Sequence, residues 1–190
     1  MYITKYQYSL PLAIYMVGEL EEPKYDLICN FGSFETRLYH DTIQARVNTN
    51  GNSRDSISNG FRTIAGYIFG SNNSGEKIAM TAPVHMWNEE EMTKMAFTMP
   101  SEHELSELPI PNNSSIELVK VAGRLTAAMK FSGFASHKKT HRLAQNLLKL
   151  ISKNKLEPTS SHILAIYDNP WTTLPFLRRN EILIPIKDNS

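Results

Sequence analysis

Residues 101–115, SEHELSELPIPNNSS, form a polar, proline-containing connection near the middle of the chain, and the same order of elements stands on either side of it. Each half offers strand material, then one amphipathic helix, then two more strands. The repeat is one of element order; residue identity between the halves is not evident. Two such halves join naturally edge to edge, which removes exposed strand edges and leaves the helices to cover the outside or the ends. The space between the joined sheets is then a candidate pocket.

The first half begins with YDLICNFGSFETRLYHDTIQARV. Tyr25, Leu27 and Cys29 alternate with Asp26, Ile28 and Asn30, and Phe34, Thr36 and Leu38 alternate with Glu35, Arg37 and Tyr39, so two strands flank Gly32-Ser33. Ile57, Phe61, Ile64 and Ile68 follow at spacings of four, three and four, the stripe of an amphipathic helix, with Ser53 or Asp55 to cap it and Gly70 to end it. EKIAMTAPVHMW, residues 76–87, reads as a strand. One face, Ile78, Met80, Ala82, Val84 and Met86, is ordinary core. The other, Ala79, Thr81, Pro83, His85 and Trp87, begins with three small side chains in a row. A further strand carries Met95, Phe97 and Met99 on one face. In the second half, IELVKVAGRLTAAMKFSGF reads as strands broken at Gly123. A helix then buries Leu143, Leu147, Leu150 and Ile151 behind a Ser136 cap, and SHILAIYD and EILIPI are late strands.

Composition narrows the class. The hydrophobic fraction of 41% suffices for a real core, and 20 basic against 19 acidic residues give a net charge of +1, which argues against a bulk electrostatic nucleic-acid binder. The single cysteine, Cys29, excludes an internal disulfide framework and a four-cysteine zinc site; it fits a reducing compartment without requiring one, so a cytoplasmic location is expected, with secretion or organellar targeting as the alternative. No run approaches the roughly 20 apolar residues that span a bilayer. LPLAIYMVG, residues 10–18, is interrupted by Pro11 and lacks a small-x-small cleavage site, so a packed N-terminal segment is expected in preference to a cleaved signal. The expected organisation is an N-terminal extension over 1–20 and one domain over 21–190, with halves of about 21–100 and 115–186.

Seven segments, in order, carry a family resemblance: EEPKYDLI, GSFETRLY, FRTIAGYIFGSN, EKIAMTAPV, FTMP, FSGFAS and NPWTTLPFLRRNEILIPI. In these the chain resembles the SOUL family of heme-binding proteins from about Glu21 to Ile186. The resemblance implies an α+β fold, a distorted antiparallel β-barrel of two pseudo-repeated halves, each with one flanking α-helix. It implies non-covalent binding of heme or another tetrapyrrole in an apolar groove, and kinship with effector-binding domains of bacterial regulators. It supplies no single shared iron ligand.

A flat macrocycle needs an apolar surface and cations for two propionates. Ala79, Thr81 and Pro83 are candidates for a shallow floor, or they pack under the first helix. Met80 and Met99, with Met86, Met92 and Met95, either adapt to the ring or fill core. Arg178 and Arg179 could clamp propionates, with Arg37 or Lys77 as further partners, or they form ion pairs with Glu181 or Glu35. Trp171 and Phe176 form a lid or close the core. His40 and His85 are the candidate iron ligands beside the default of surface or hydrogen-bonded histidines. Asn30 follows Cys29, so the Cys-Pro heme-regulatory signature is absent. His137 and His141 have metal-ligand spacing, but Lys138, Lys139 and Arg142 beside them favour a solvated basic face.

The preferred function is a non-enzymatic tetrapyrrole carrier, buffer or sensor. A hydrolase or other enzyme acting on a hydrophobic small molecule, with Glu181 as general base, is the first alternative. The second is a protein-interaction module that docks through the 101–115 connection or the second helix.

Overall fold

The computed structural model describes residues 20–49, 51, 53–89, 92–168 and 173–188. LPLAIYMVG and Trp171 lie outside the described residues. Nine strands, β1 (Tyr25–Asn30), β2 (Glu35–Tyr39), β3 (Thr42–Thr49), β4 (Val84–Glu89), β5 (Met92–Thr98), β6 (Glu117–Val121), β7 (Arg124–Ser132), β8 (Ile163–Ile166) and β9 (Arg179–Pro185), form one antiparallel sheet. Helix α1 spans Arg54–Ile68 and α2 spans His137–Lys153. The sheet order is β1-β2-β7-β9-β8-β4-β5-β3-β6, a curled half-barrel whose edges are β1 and β6.

The two halves are related as expected, and they also exchange strands. One half is β3-α1-β4-β5 and the other β7-α2-β8-β9, joined where β8 meets β4. The strand leading into each half pairs with the other half: β2 lies against β7, and β6 against β3. The two connectors, at His40–Asp41 and Ala122–Gly123, therefore touch. Asp41 accepts a hydrogen bond from the Gly123 amide at 2.8 Å.

Both helices cover the convex face. Ser53 caps α1, its hydroxyl accepting from the Ser56 amide at 3.1 Å, and Gly70, at φ +105°, turns the chain away after its end. Ile64, Tyr67 and Ile68 of α1 pack on Val47, Met95 and Phe97. Ala144, Leu147 and Ile151 of α2 pack on Met129, Ile182 and Ile184. Burial of such side chains contributes about 1.5–3 kcal/mol each. Met95 and Met99 belong to the first core, whereas Met80 and Met92 are exposed.

One strand expectation is corrected. Residues 76–80 are outside regular structure, Thr81 makes only an isolated bridge to Glu21, and β4 begins at Val84 after a cis Ala82-Pro83 bond. The alternation of small side chains therefore does not form one flat face. The run is tied to α1 instead: Ile78 donates its amide to the Ile68 carbonyl at 2.9 Å, and the Thr81 hydroxyl donates to the Thr98 carbonyl at 2.5 Å.

Candidate ligand cleft

With both helices on the convex side, the concave face is lined by the side chains that alternate away from them. Residues paired across strands share a face, so register fixes that lining. Glu181 stands opposite Ala165, Ala165 opposite His85, His85 opposite Ala96, and Ala96 opposite Arg46. Across five strands this row runs acid, alanine, imidazole, alanine, arginine. The two alanines leave His85 between short neighbours. Residues 79–83 lie outside this row.

A buried ionic cluster closes one end of the row. Arg37 donates to both oxygens of Glu181, at 2.9 and 3.1 Å, to Glu35 through Nε and Nη2, at 2.9 and 2.7 Å, and to the Tyr39 hydroxyl at 3.0 Å. Tyr167 donates its hydroxyl to Glu181 at 2.8 Å, and the Tyr25 ring covers the guanidinium carbon at 4.5 Å. Burial opposes the charge on Arg37, but Glu181 and Tyr39 together outweigh it and hold its pKa above the usual arginine value. Burial opposes ionisation of Glu35 too, and Arg37 outweighs it, lowering that carboxyl. Burial drives the phenols the other way: Tyr39 is pushed up to about 12, and Tyr167, beside the Glu181 charge, is raised as well. Glu181 is 2% exposed with both oxygens engaged, so this arrangement presents it as a structural counterion.

Beside the cluster opens a cleft of about 260 Å³ between β3, β4 and β7, lined among others by Tyr39, Arg46, His85, Trp87, Thr98 and Arg124. A second hollow of about 220 Å³ adjoins it, sharing Pro23, His40, Thr42 and Thr98. Arg46 lies 5.2 Å from the Trp87 ring centroid and donates to the Gln44 amide oxygen at 3.0 Å. Among the described residues the Arg124 guanidinium has neither a hydrogen bond nor an ion pair. Burial lowers the pKa of both arginines, and the Arg46 charge lowers Arg124 further. His85 is 9% exposed, and its Nδ1 is buried without a hydrogen-bond partner. Burial, then the charges of Arg124 and Arg46, depress its pKa to about 4, so at neutral pH the imidazole is uncharged.

The other sequence candidates scatter. Lys77, Ala79 and Met80 are exposed on the irregular run, while Thr81 and Pro83 are buried. Thr81 and Met99 line the second hollow. His40 is exposed and contacts Asp26 at 2.9 Å. Arg179 pairs with Glu22, and its guanidinium carbon lies 3.8 Å from the Tyr167 ring centroid. Arg178 donates through Nε to the Thr173 carbonyl at 2.9 Å, and Phe176 is exposed on a one-turn 3₁₀ helix, Pro175–Leu177. Neither Arg178 nor Phe176 lines either hollow. Sequence reasoning missed Arg46 and Arg124. Their signal was a cation on the face of a strand opposite the apolar core positions, Ala45 and Val47 in β3 and Leu125 and Ala127 in β7.

Comparison with known proteins adds to this geometry. A family model described as SOUL heme-binding protein matches residues 20–185. Heme-binding protein 2 of Homo sapiens is 27% identical over 172 residues, covering 83% of this chain and 82% of the human protein. Among solved structures, the EcmrR C-terminal domain superposes with a TM-score of 0.63 at 11% identity, covering 86% of this chain and 98% of that one. A hydrolase from Listeria innocua does so at 0.57 and 10% identity, covering 82% and 92%. At such identities these two structures share the fold with this chain.

Proposed function

This chain belongs to the SOUL heme-binding family, and from that premise we propose that it holds heme or a related tetrapyrrole at the concave cleft, as a non-enzymatic carrier, buffer or sensor. The observation that carries this reading is the pairing of Arg46 and Arg124 across an open cleft with no carboxylate on Arg124. A half-buried guanidinium beside an indole, Arg46, and an exposed one without a carboxylate partner, Arg124, suit a flat aromatic molecule bearing carboxylates. The volume of about 260 Å³ is below the roughly 300–1,000 Å³ of pockets that engulf a small molecule, so the cleft grips an edge and leaves the rest of the ring outside. The resident heme would supply the redox and ligand-binding chemistry of its iron; the chain supplies carboxylate recognition by Arg46 and Arg124 and an apolar wall at Trp87.

Titration with hemin and with metal-free protoporphyrin tests the proposal. Comparable dissociation constants for the two are expected, because the cleft recognises the ring and its carboxylates. Arg124→Ala, which removes a charge-assisted contact of about 1.5–3 kcal/mol, should weaken both by tenfold or more. Absence of saturable binding to either ligand, against a control protein of similar charge, would overturn it.

A further inference from the structure

Charge is segregated in this chain. Residues 118–156 contain nine lysines and arginines and no aspartate or glutamate, although the whole chain holds 20 basic and 19 acidic residues. The remainder therefore carries 11 basic residues, 20 less 9, against all 19 acids. Five of the nine lie in α2. Thr140, Ala144, Leu147 and Ile151 face the sheet. Lys138, Arg142, Lys149 and Lys153, at spacings of four, seven and four, form an exposed stripe on the opposite side.

At the N-terminal end of this stripe stands an exposed apolar turn. Phe134 is 65% and Phe176 68% exposed, and Leu174 and Leu177 are exposed beside them. The two segments that carry these side chains lie next to each other. The Arg178 guanidinium lies 5.2 Å from the Phe134 ring centroid, and the Cβ position of Gly133 faces the Pro175 carbonyl at 4.0 Å. All four are open to solvent and none lines either hollow.

We propose that the solvent face of α2, together with the apolar turn around Phe134 and Phe176, docks on an anionic lipid bilayer. Cations beside the interface are drawn by acidic headgroups, and protruding aromatic and aliphatic side chains enter the headgroup boundary. A nucleic acid would use the stripe but leave the apolar turn in water. This surface lies on the face of the sheet opposite the cleft and does not depend on what the cleft holds.

The test is flotation of the full chain with phosphatidylcholine vesicles, alone or with about 30 mol% phosphatidylserine, at low and raised salt. Partition about tenfold higher on the serine-containing vesicles, collapsing as salt screens the charges, is expected. Lys138→Glu with Arg142→Glu and Lys149→Glu should abolish the preference. Phe134→Ser with Phe176→Ser should weaken binding while its salt dependence remains. If charge reversal lowers the melting temperature, Lys138→Gln with Arg142→Gln carries the same comparison. Equal partition on both vesicle types, unchanged behaviour of the charge variants, or tighter binding to duplex DNA than to the acidic vesicles would overturn the proposal.

Discussion

Arg37 and Glu181 are 144 residues apart in sequence and share two buried hydrogen bonds. Removing one partner of such a pair leaves an uncompensated charge, so Arg37→Ala is expected to cost about 3–5 kcal/mol in denaturant unfolding. Tyr167→Phe, which deletes one hydrogen bond to the same carboxylate, should cost about 1.5–3 kcal/mol. His85 gives a pH signature. Its folded pKa of about 4 lies below the ordinary 6.5, so the unfolded chain takes up a proton first as pH falls. Its contribution is intact above pH 6.5 and is lost progressively towards pH 4, to about 3 kcal/mol at most. His162, lowered by burial and by His141 and His137, tilts the curve the same way. The diagnostic is therefore a smaller loss of melting temperature between pH 7 and pH 4.5 in His85→Gln than in the unsubstituted chain. At this scale the sequence exposed individuals but not company. Arg37, Glu181 and His85 were each singled out, as a propionate partner, a general base and an iron ligand, whereas Arg46 and Arg124 acquire meaning only when β3 and β7 face one another across the cleft.

Helices and most strands were legible because periodicity is a local property. The stripe of Ile57, Phe61, Ile64 and Ile68 located α1, and Leu143, Leu147, Leu150 and Ile151 located α2. The strand read over 76–87 failed in its first half because local partners rather than a neighbouring strand satisfy that backbone: the Ile78 amide donates to the Ile68 carbonyl at the end of α1, and the Asn72 side chain accepts from the Glu76 amide and donates to the Glu76 carbonyl. Two glycines of α1 test how packing overrides helix propensity. A Cβ on Gly60 would meet the Thr49 methyl at 2.6 Å, and Thr49 is held by hydrogen bonds from its hydroxyl to the Gly51 and Thr93 carbonyls. Gly60→Ala should therefore destabilise by about 1–2 kcal/mol despite alanine's better propensity. On Gly66 the nearest atom is Ser71 Oγ at 3.6 Å, ordinary contact, so Gly66→Ala should stabilise by up to about 1 kcal/mol. Chemical unfolding of the two variants side by side decides the matter.

For the molecule as a whole, the order of elements announced a paired architecture, but nothing in a linear pattern shows that β2 and β6 cross to opposite halves. That exchange presses the two connectors together. A Cβ on Gly123 would stand 2.5 Å from the Tyr39 carbonyl oxygen and 3.3 Å from His40 C, backbone atoms that cannot rotate away. Gly123→Ala should lower stability by about 2 kcal/mol, with the loss visible in calorimetry as an earlier single transition. The same crossing has a consequence for synthesis. As the polypeptide leaves the ribosome, β3 through β5 emerge with one flank bare until residue 121 is out, while β2 waits for a mate 91 positions downstream, Thr36 with Ala127. The nascent first half is thus an unfinished sheet, the stage at which a holding chaperone would gain most and premature termination would leave a sticky fragment.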